Sequence, residues 1–125
     1  MKRIISTDCA PAAIGPYSQG VVSENLMFVS GQLPINPKTG VIECQDIKGQ
    51  ATQSLENVKS ILKNAGYELG DVVKTTCFIT DMADFAELNE VYANYFVENC
   101  PARSCVSVKE LPKQALFELE VIACK

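Results

Sequence analysis

Arg103, in the stretch PARSCVSV (101–108), and Glu118 and Glu120, in LFELEVIA (116–123), are the residues best suited to chemistry. A guanidinium offers a planar fork that matches a carboxylate with two parallel hydrogen bonds. A carboxyl group partly withdrawn from water has a raised pKa and can move a proton from a water molecule. The plain alternatives are a strand-end surface charge for Arg103 and a solvated strand face for the glutamates. Spacing does not rank Glu118 against Glu120. Cys105 could be a nucleophile, but the chain has no histidine to serve as its base, so a pocket-lining thiol is the simpler reading. The same absence removes Ser-His-Asp and Cys-His catalysis, and copies of the same chain cannot restore it. Acid/base work falls to Asp, Glu, Lys, Tyr, Cys or bound water.

Four further residues border these candidates. Asn89 lies four residues after Phe85 and three before Tyr92, at the margin of an apolar helical stripe. Its amide could reach a ligand or fix a loop. Tyr17 follows Gly15 and Pro16 in a stiff loop, as a packing residue or a pocket wall. Ser30 and Gly31 end a strand, where glycine permits close backbone approach or simply makes a turn.

The elements that must position these residues follow from periodicity. Strands are predicted at KRIIS, QGVVSE and LMFVSG, the last two joined by a tight hairpin at Glu24–Asn25. A helix is predicted over 46–65, with apolar residues at Ile47, Ala51, Leu55, Val58, Ile61, Leu62 and Ala65, Asp46 as N-cap and Gly66 just past its end. Gly49 weakens its first turn. DVVKTTCFIT reads as a strand. A second helix is predicted over about 84–97, with Asp84 and Glu87 at capping-box spacing and Phe85, Leu88, Tyr92, Tyr95 and Phe96 as its apolar stripe. Strands at about 103–109 and 116–123 complete the chain. Two strand-helix-strand units imply parallel pairings, and the hairpins imply antiparallel ones. The expected fold is α+β, a single mixed β-sheet with two helices packed on one face.

In the last strand, Phe117, Leu119, Val121 and Ala123 share one apolar face, opposite Glu118, Glu120 and Ile122. Val106 and Val108 are expected beneath the helices. Arg103, Cys105 and Ser107 are then expected on the bare face, on the same side as Glu118. That face needs a cover, most economically another subunit.

Composition narrows the function classes. The 125 residues fit one domain, 1–125, and 47% hydrophobic with 21% charged residues indicates an ordered globular chain. A net charge of −4 with scattered basic residues makes nucleic acid a poor partner. The N-terminal MKRIISTDCAPAAIGP lacks a continuous apolar stretch and no apolar run approaches the length of a membrane span, so neither a secretory signal nor a span is expected, and cytoplasmic placement is expected. The six cysteines form no C-x-x-C pair, no metal site is expected, and reduced thiols are the simplest state.

APAAIGPYSQG, VSGQLPINPKTG, QATQSLENVKSIL, VVKTTCFITDMADFAELNEVYANYF, PARSCVSV and LPKQALFELEVIA closely resemble the RidA/YjgF family of reactive intermediate (enamine/imine) deaminases. The likeness covers nearly the whole chain, and the combination of IGPYSQ, the SGQ-to-TG segment and PARS is specific. It implies a chorismate-mutase-like homotrimer whose sheets line a central barrel, with active sites in clefts between subunits. It implies cofactor-free hydrolysis of 2-imino acids, such as 2-iminobutanoate and 2-iminopropanoate, to 2-oxo acids and ammonia. Arg103 matches the arginine that grips the substrate carboxylate. Glu118 matches the acid that orients water, and Glu120 does not. Cys105 matches a position whose backbone helps to hold the reacting group, and Tyr17, Ser30, Gly31 and Asn89 match pocket positions. Cys100 departs from the pattern by standing where an aromatic residue is expected at the pocket rim. Two other readings stay open: a non-catalytic carboxylate-binding regulatory trimer, and an RNA-cleaving or translation-inhibiting protein.

Overall fold

The computed structural model describes residues 1–125. Its strands are β1 (Lys2–Ile5), β2 (Gly20–Ser23), β3 (Leu26–Gln32), β4 (Val72–Ile79), β5 (Ala102–Ser107) and β6 (Phe117–Cys124), and its helices are α1 (Ile47–Asn64) and α2 (Phe85–Tyr95). They build one six-stranded sheet in the order β1-β2-β3-β6-β4-β5. This is the expected α+β arrangement, with α1 and α2 on one face. Of the two strand-helix-strand units, only β4-α2-β5 makes a direct parallel pair. In β3-α1-β4 the two strands are parallel but separated, because β6 runs antiparallel to both and lies between them.

The hairpin at Glu24–Asn25 is as tight as the sequence suggests. Ser23 pairs with Leu26, and Glu24 takes a left-handed φ of 56° to close a two-residue turn. α1 buries Ile47, Ala51, Leu55, Val58, Ile61 and Leu62 against Phe117, Leu119, Val121 and Ala123 of β6. Each such large side chain contributes about 1.5–3 kcal/mol by leaving water. Cys77 joins this core as a neutral small apolar group, its thiol pushed up to about 12 by burial.

The C-terminus of α1 closes as expected on Gly66. Tyr67 N donates to Leu62 O at 2.9 Å and Gly66 N to Lys63 O at 3.0 Å, with Gly66 at φ 84°. The N-termini differ from expectation. Asp46 occupies the N-cap of α1 but makes no capping hydrogen bond. Asp84 and Glu87 form no capping box, because a single 3₁₀ turn, Met82–Asp84, already leads into α2 and places Asp84 in helical geometry. Asp81 starts that turn by accepting from Ala83 N at 2.9 Å. On α2 the buried residues are Leu88, Val91 and Tyr92, with Phe96 buried just past its end, while Tyr95 turns partly outward and donates to Glu56 at 2.7 Å.

The facing of β5 is corrected. β4 pairs Thr75 with Arg103 and Cys77 with Cys105, and both Thr75 and Cys77 are fully buried beneath the helices. Arg103, Cys105 and Ser107 therefore share the helix-side face, and Val106, 45% exposed, lies on the bare one. Apolarity misassigned the strand because the bare face is itself apolar. Ile4, Val21, Phe28 and Ile122 run across it as one row through β1, β2, β3 and β6.

Gly49, costly by propensity, has a packing reason. A Cβ there would meet Cys44 Cβ at 2.6 Å, Cys44 Sγ at 2.7 Å and Asp46 Oδ1 at 2.8 Å. Gly49→Ala is therefore expected to destabilise the fold by about 1–3 kcal/mol through overpacking, although alanine is the better helix former by about 1 kcal/mol. Urea unfolding checks the sign.

Candidate active site

The candidate residues fall into two groups on opposite faces of the sheet. The first is built around Glu118. A cleft of about 560 Å³ is lined by Tyr17, Ser30, Gly31, Glu118 and Glu120, with Ile14, Leu33, Ile35, Pro112 and Lys113 among its walls. Its outer side is the loop between β1 and β2. That loop is held by Gln19, which is buried. The Gln19 amide donates to Thr7 O at 3.0 Å and Pro11 O at 2.7 Å, while its oxygen accepts from Thr7 N at 2.7 Å. Ser30 binds the end of the same loop, donating through Oγ to Ser18 O at 2.5 Å and through its N–H to Gln19 O at 3.0 Å.

The β3/β6 register shifts between Val29 and Gln32, so Ser30 and Gly31 sit at a bulge beside Glu118. Glu118 explains the glycine. A Cβ on residue 31 would collide with the Glu118 carboxylate, whose Cδ would be only 2.9 Å away. The missing side chain is the space in which the carboxylate lies. Burial raises the Glu118 pKa above the ordinary glutamate range, and the nearby charge of Glu120 adds to the shift. Glu120, two residues along the same face, is exposed.

The second group is built around Arg103. Its Nη1 donates to Asn89 Oδ1 of α2 at 2.8 Å. The guanidinium carbon lies 4.7 Å from the Tyr92 ring centroid and 5.5 Å from that of Phe85. Tyr92 is itself fixed by a buried 2.8 Å hydrogen bond with Thr75. Two aromatic faces and one amide thus orient the fork while leaving its other donors open.

Cys105 stands two residues along, on edge strand β5. Val108 N donates to Ile79 O at 2.8 Å, so by ladder alternation Cys105 directs its own N–H and C=O away from β4, toward the free edge of the sheet. Its thiol is pushed up in pKa by burial, against an opposing pull from Arg103, so it is a poor thiolate. Main-chain groups, rather than sulfur, are what this position offers a ligand.

The structure therefore brings Tyr17, Ser30, Gly31 and Glu118 together, and Asn89, Arg103 and Cys105 together. It does not join the two groups within one chain. The expectation that Arg103 and Glu118 share a sheet face is overturned by the register. Sequence reasoning also passed over Gln19 as the loop clamp and Tyr92 as the platform for Arg103. The i, i+3 spacing of Asn89 and Tyr92 was the available signal for the second. No helix is long and apolar enough to cross a membrane.

Known proteins provide the context. The family model described as Endoribonuclease L-PSP matches residues 7–125. The chain is 55% identical to RutC family protein PH0854 of Pyrococcus horikoshii over 125 residues, covering 100% of this chain and 99% of that protein. It is 51% identical to the 2-iminobutanoate/2-iminopropanoate deaminase of Escherichia coli K12 over 128 residues, covering 100% and 99% respectively. Escherichia coli TdcF, solved with bound serine, superposes with a TM-score of 0.94 at 51% identity, covering 98% of each chain. By sequence and by fold, the chain belongs to the Endoribonuclease L-PSP family, the RidA/YjgF family of its sequence resemblance.

Proposed function

We propose that this protein is a cytoplasmic homotrimeric deaminase that hydrolyses 2-imino acids, such as 2-iminobutanoate and 2-iminopropanoate, to 2-oxo acids and ammonia without a cofactor. The observation that carries the reading is the division of the site. An oriented guanidinium on one face and a desolvated carboxylate on the other make a complete imine hydrolase only where two subunits meet. The uncovered row Ile4, Val21, Phe28 and Ile122, with Phe28 43% exposed, supports such a contact. Threefold closure follows from the family resemblance.

In this reading Arg103 of one subunit holds the substrate carboxylate, steadied by Asn89 and Tyr92. The outward main chain of Cys105 helps to hold the reacting group. Glu118 of the neighbouring subunit accepts a hydrogen bond from water. The water oxygen attacks the C=N carbon while Glu118 takes one water proton and passes it to the nitrogen, giving a carbinolamine. The carbinolamine hydroxyl then gives its proton through Glu118 to the nitrogen as the C=O double bond forms and the C–N bond breaks. Ammonia leaves and the 2-oxo acid remains. Anchoring and orientation supply much of the acceleration, so no histidine is needed. Tyr17, Ser30 and Gly31 shape the water side of the cleft.

The ribonuclease reading implied by the family description fits this chain less well. The basic residues are scattered along the chain and the net charge is −4, which disfavours a polyanion. A regulatory carboxylate binder would need Arg103 but has no use for the desolvation of Glu118.

Light scattering should give a mass about three times the 13.6 kDa of one chain. A monomer at micromolar concentration overturns the divided site. In an assay coupled to an amino acid oxidase, Glu118→Gln should lose about 10²–10⁴ in rate and still bind 2-oxobutanoate, because an amide keeps the shape but cannot carry the proton. Glu120→Gln should retain far more activity. Arg103→Lys should lose most activity, since an ammonium cannot reproduce the fork. Activity should fall with acid as Glu118 protonates, at a pH above the ordinary glutamate range. Glu120→Gln should move that limb to lower pH by removing a like charge. A normal Glu118→Gln rate with an inactive Glu120→Gln would reverse the assignment of the base.

A further inference from the structure

Lys113 lies in the loop between β5 and β6, and it has a backbone conformation that side chains disfavour. Its φ and ψ are 58° and 24°, and Gln114 follows at φ 58°. Two consecutive non-glycine residues in the left-handed region persist only where their surroundings impose it. Here the frame is rigid on both sides. Pro112 precedes the pair, and Ala115 behind it is buried and donates to Pro112 O at 3.2 Å. Leu116 N then donates to Gln50 Oε1 at 2.7 Å, and Gln50 is tied to Cys44 O at 2.9 Å, so the turn is clipped to α1.

This enforced turn sets Lys113 on the wall of the Glu118 cleft, where it is the only cationic residue. The ammonium has no hydrogen bond or ion-pair partner in the chain; the single salt bridge is Lys48–Glu90. The same lining includes the apolar side chains of Ile14, Leu33 and Ile35, together with the carboxylates of Glu118 and Glu120. Apolar lining beside a cation that neither glutamate pairs with suits a side chain that is apolar along its length and anionic at its end.

We propose that Lys113 is a specificity-determining residue that receives a second carboxylate, at the tip of the substrate side chain, so that the protein accepts dicarboxylic 2-imino acids alongside aliphatic ones. The inference rests on the deaminase reading, in which Arg103 already takes the carboxylate next to the imine. The anion left for Lys113 is then a different one. A lysine suits the task because a flexible point charge can follow side chains of different length.

Calorimetry on the intact assembly tests this with 2-oxoglutarate and 2-oxobutanoate as probes. Lys113→Met should shift the ratio of their dissociation constants by about tenfold against 2-oxoglutarate, the loss expected for one charge-assisted contact. Lys113→Arg should restore the ratio, and added salt should diminish the wild-type preference. Lys113 is exposed, so both variants should fold, and the mass of the assembly confirms it. An unchanged ratio in Lys113→Met overturns the proposal, as does wild-type protein that binds 2-oxobutanoate but not 2-oxoglutarate. Arg103→Ala should lose both ligands. If it binds both as wild type does, the carboxylate clamp itself is wrong, and the role of Lys113 falls with it.

Discussion

The register of β4 governs where the chemistry can occur. This strand is paired on both sides, in parallel with β5 and antiparallel with β6. Thr75 aligns with Arg103, and Phe78 aligns with Glu118. Side chains alternate along a strand, and residues 75 and 78 are an odd number apart. The guanidinium and the carboxylate must therefore leave the sheet on opposite sides. A shift of one residue in either pairing would put them on one face and bury the wrong half of the strand. The core forbids that shift, because Thr75, Cys77, Ile79, Leu119 and Val121 all lie under the helices.

The Glu118 carboxylate, the proposed base, has a cost in stability. Burial and Glu120 both raise the Glu118 pKa, so the folded chain disfavours the ionised form. The sign follows from linkage. A carboxyl with a raised folded pKa favours folding while protonated, and that advantage is lost as pH rises through the folded value. Once ionised, Glu118 opposes folding. Gly31 gives its carboxylate room, but no side chain forms an ion pair with it. In the proposed mechanism, activity and stability pull in opposite directions at this residue.

Much of this was legible in the sequence, for identifiable reasons. α1 and the core face of β6 announce themselves because one side of each is buried and the other is not, which gives clean periods of 3.6 and 2. The C-terminus of α1 was legible because Gly66 is the residue that a left-handed closing position favours. The faces of β5 were not legible. Its valines suggested burial, yet the bare face carries its own apolar row, and an edge strand beside a short helix tolerates Arg, Cys and Ser toward the helices. Gly31 could be singled out only as a glycine near a strand end. Its meaning lies in Glu118, 87 positions away in sequence and adjacent through the β3/β6 bulge. The strain at Lys113 had no sequence signal at all, since neither Lys113 nor Gln114 is a residue that usually marks a left-handed turn.

The central claim, that each active site takes Arg103 from one subunit and Glu118 from another, is tested most directly by complementation. Arg103→Ala and Glu118→Gln assemblies are each expected to be inactive. Unfolded, mixed in equal amounts and refolded, they should form mixed assemblies in which about a quarter of the sites pair an intact Arg103 with an intact Glu118. Deaminase activity should return to roughly that fraction of wild type. If mass spectrometry shows that mixed assemblies have formed and the mixture stays inactive, the two residues do not act across a subunit boundary.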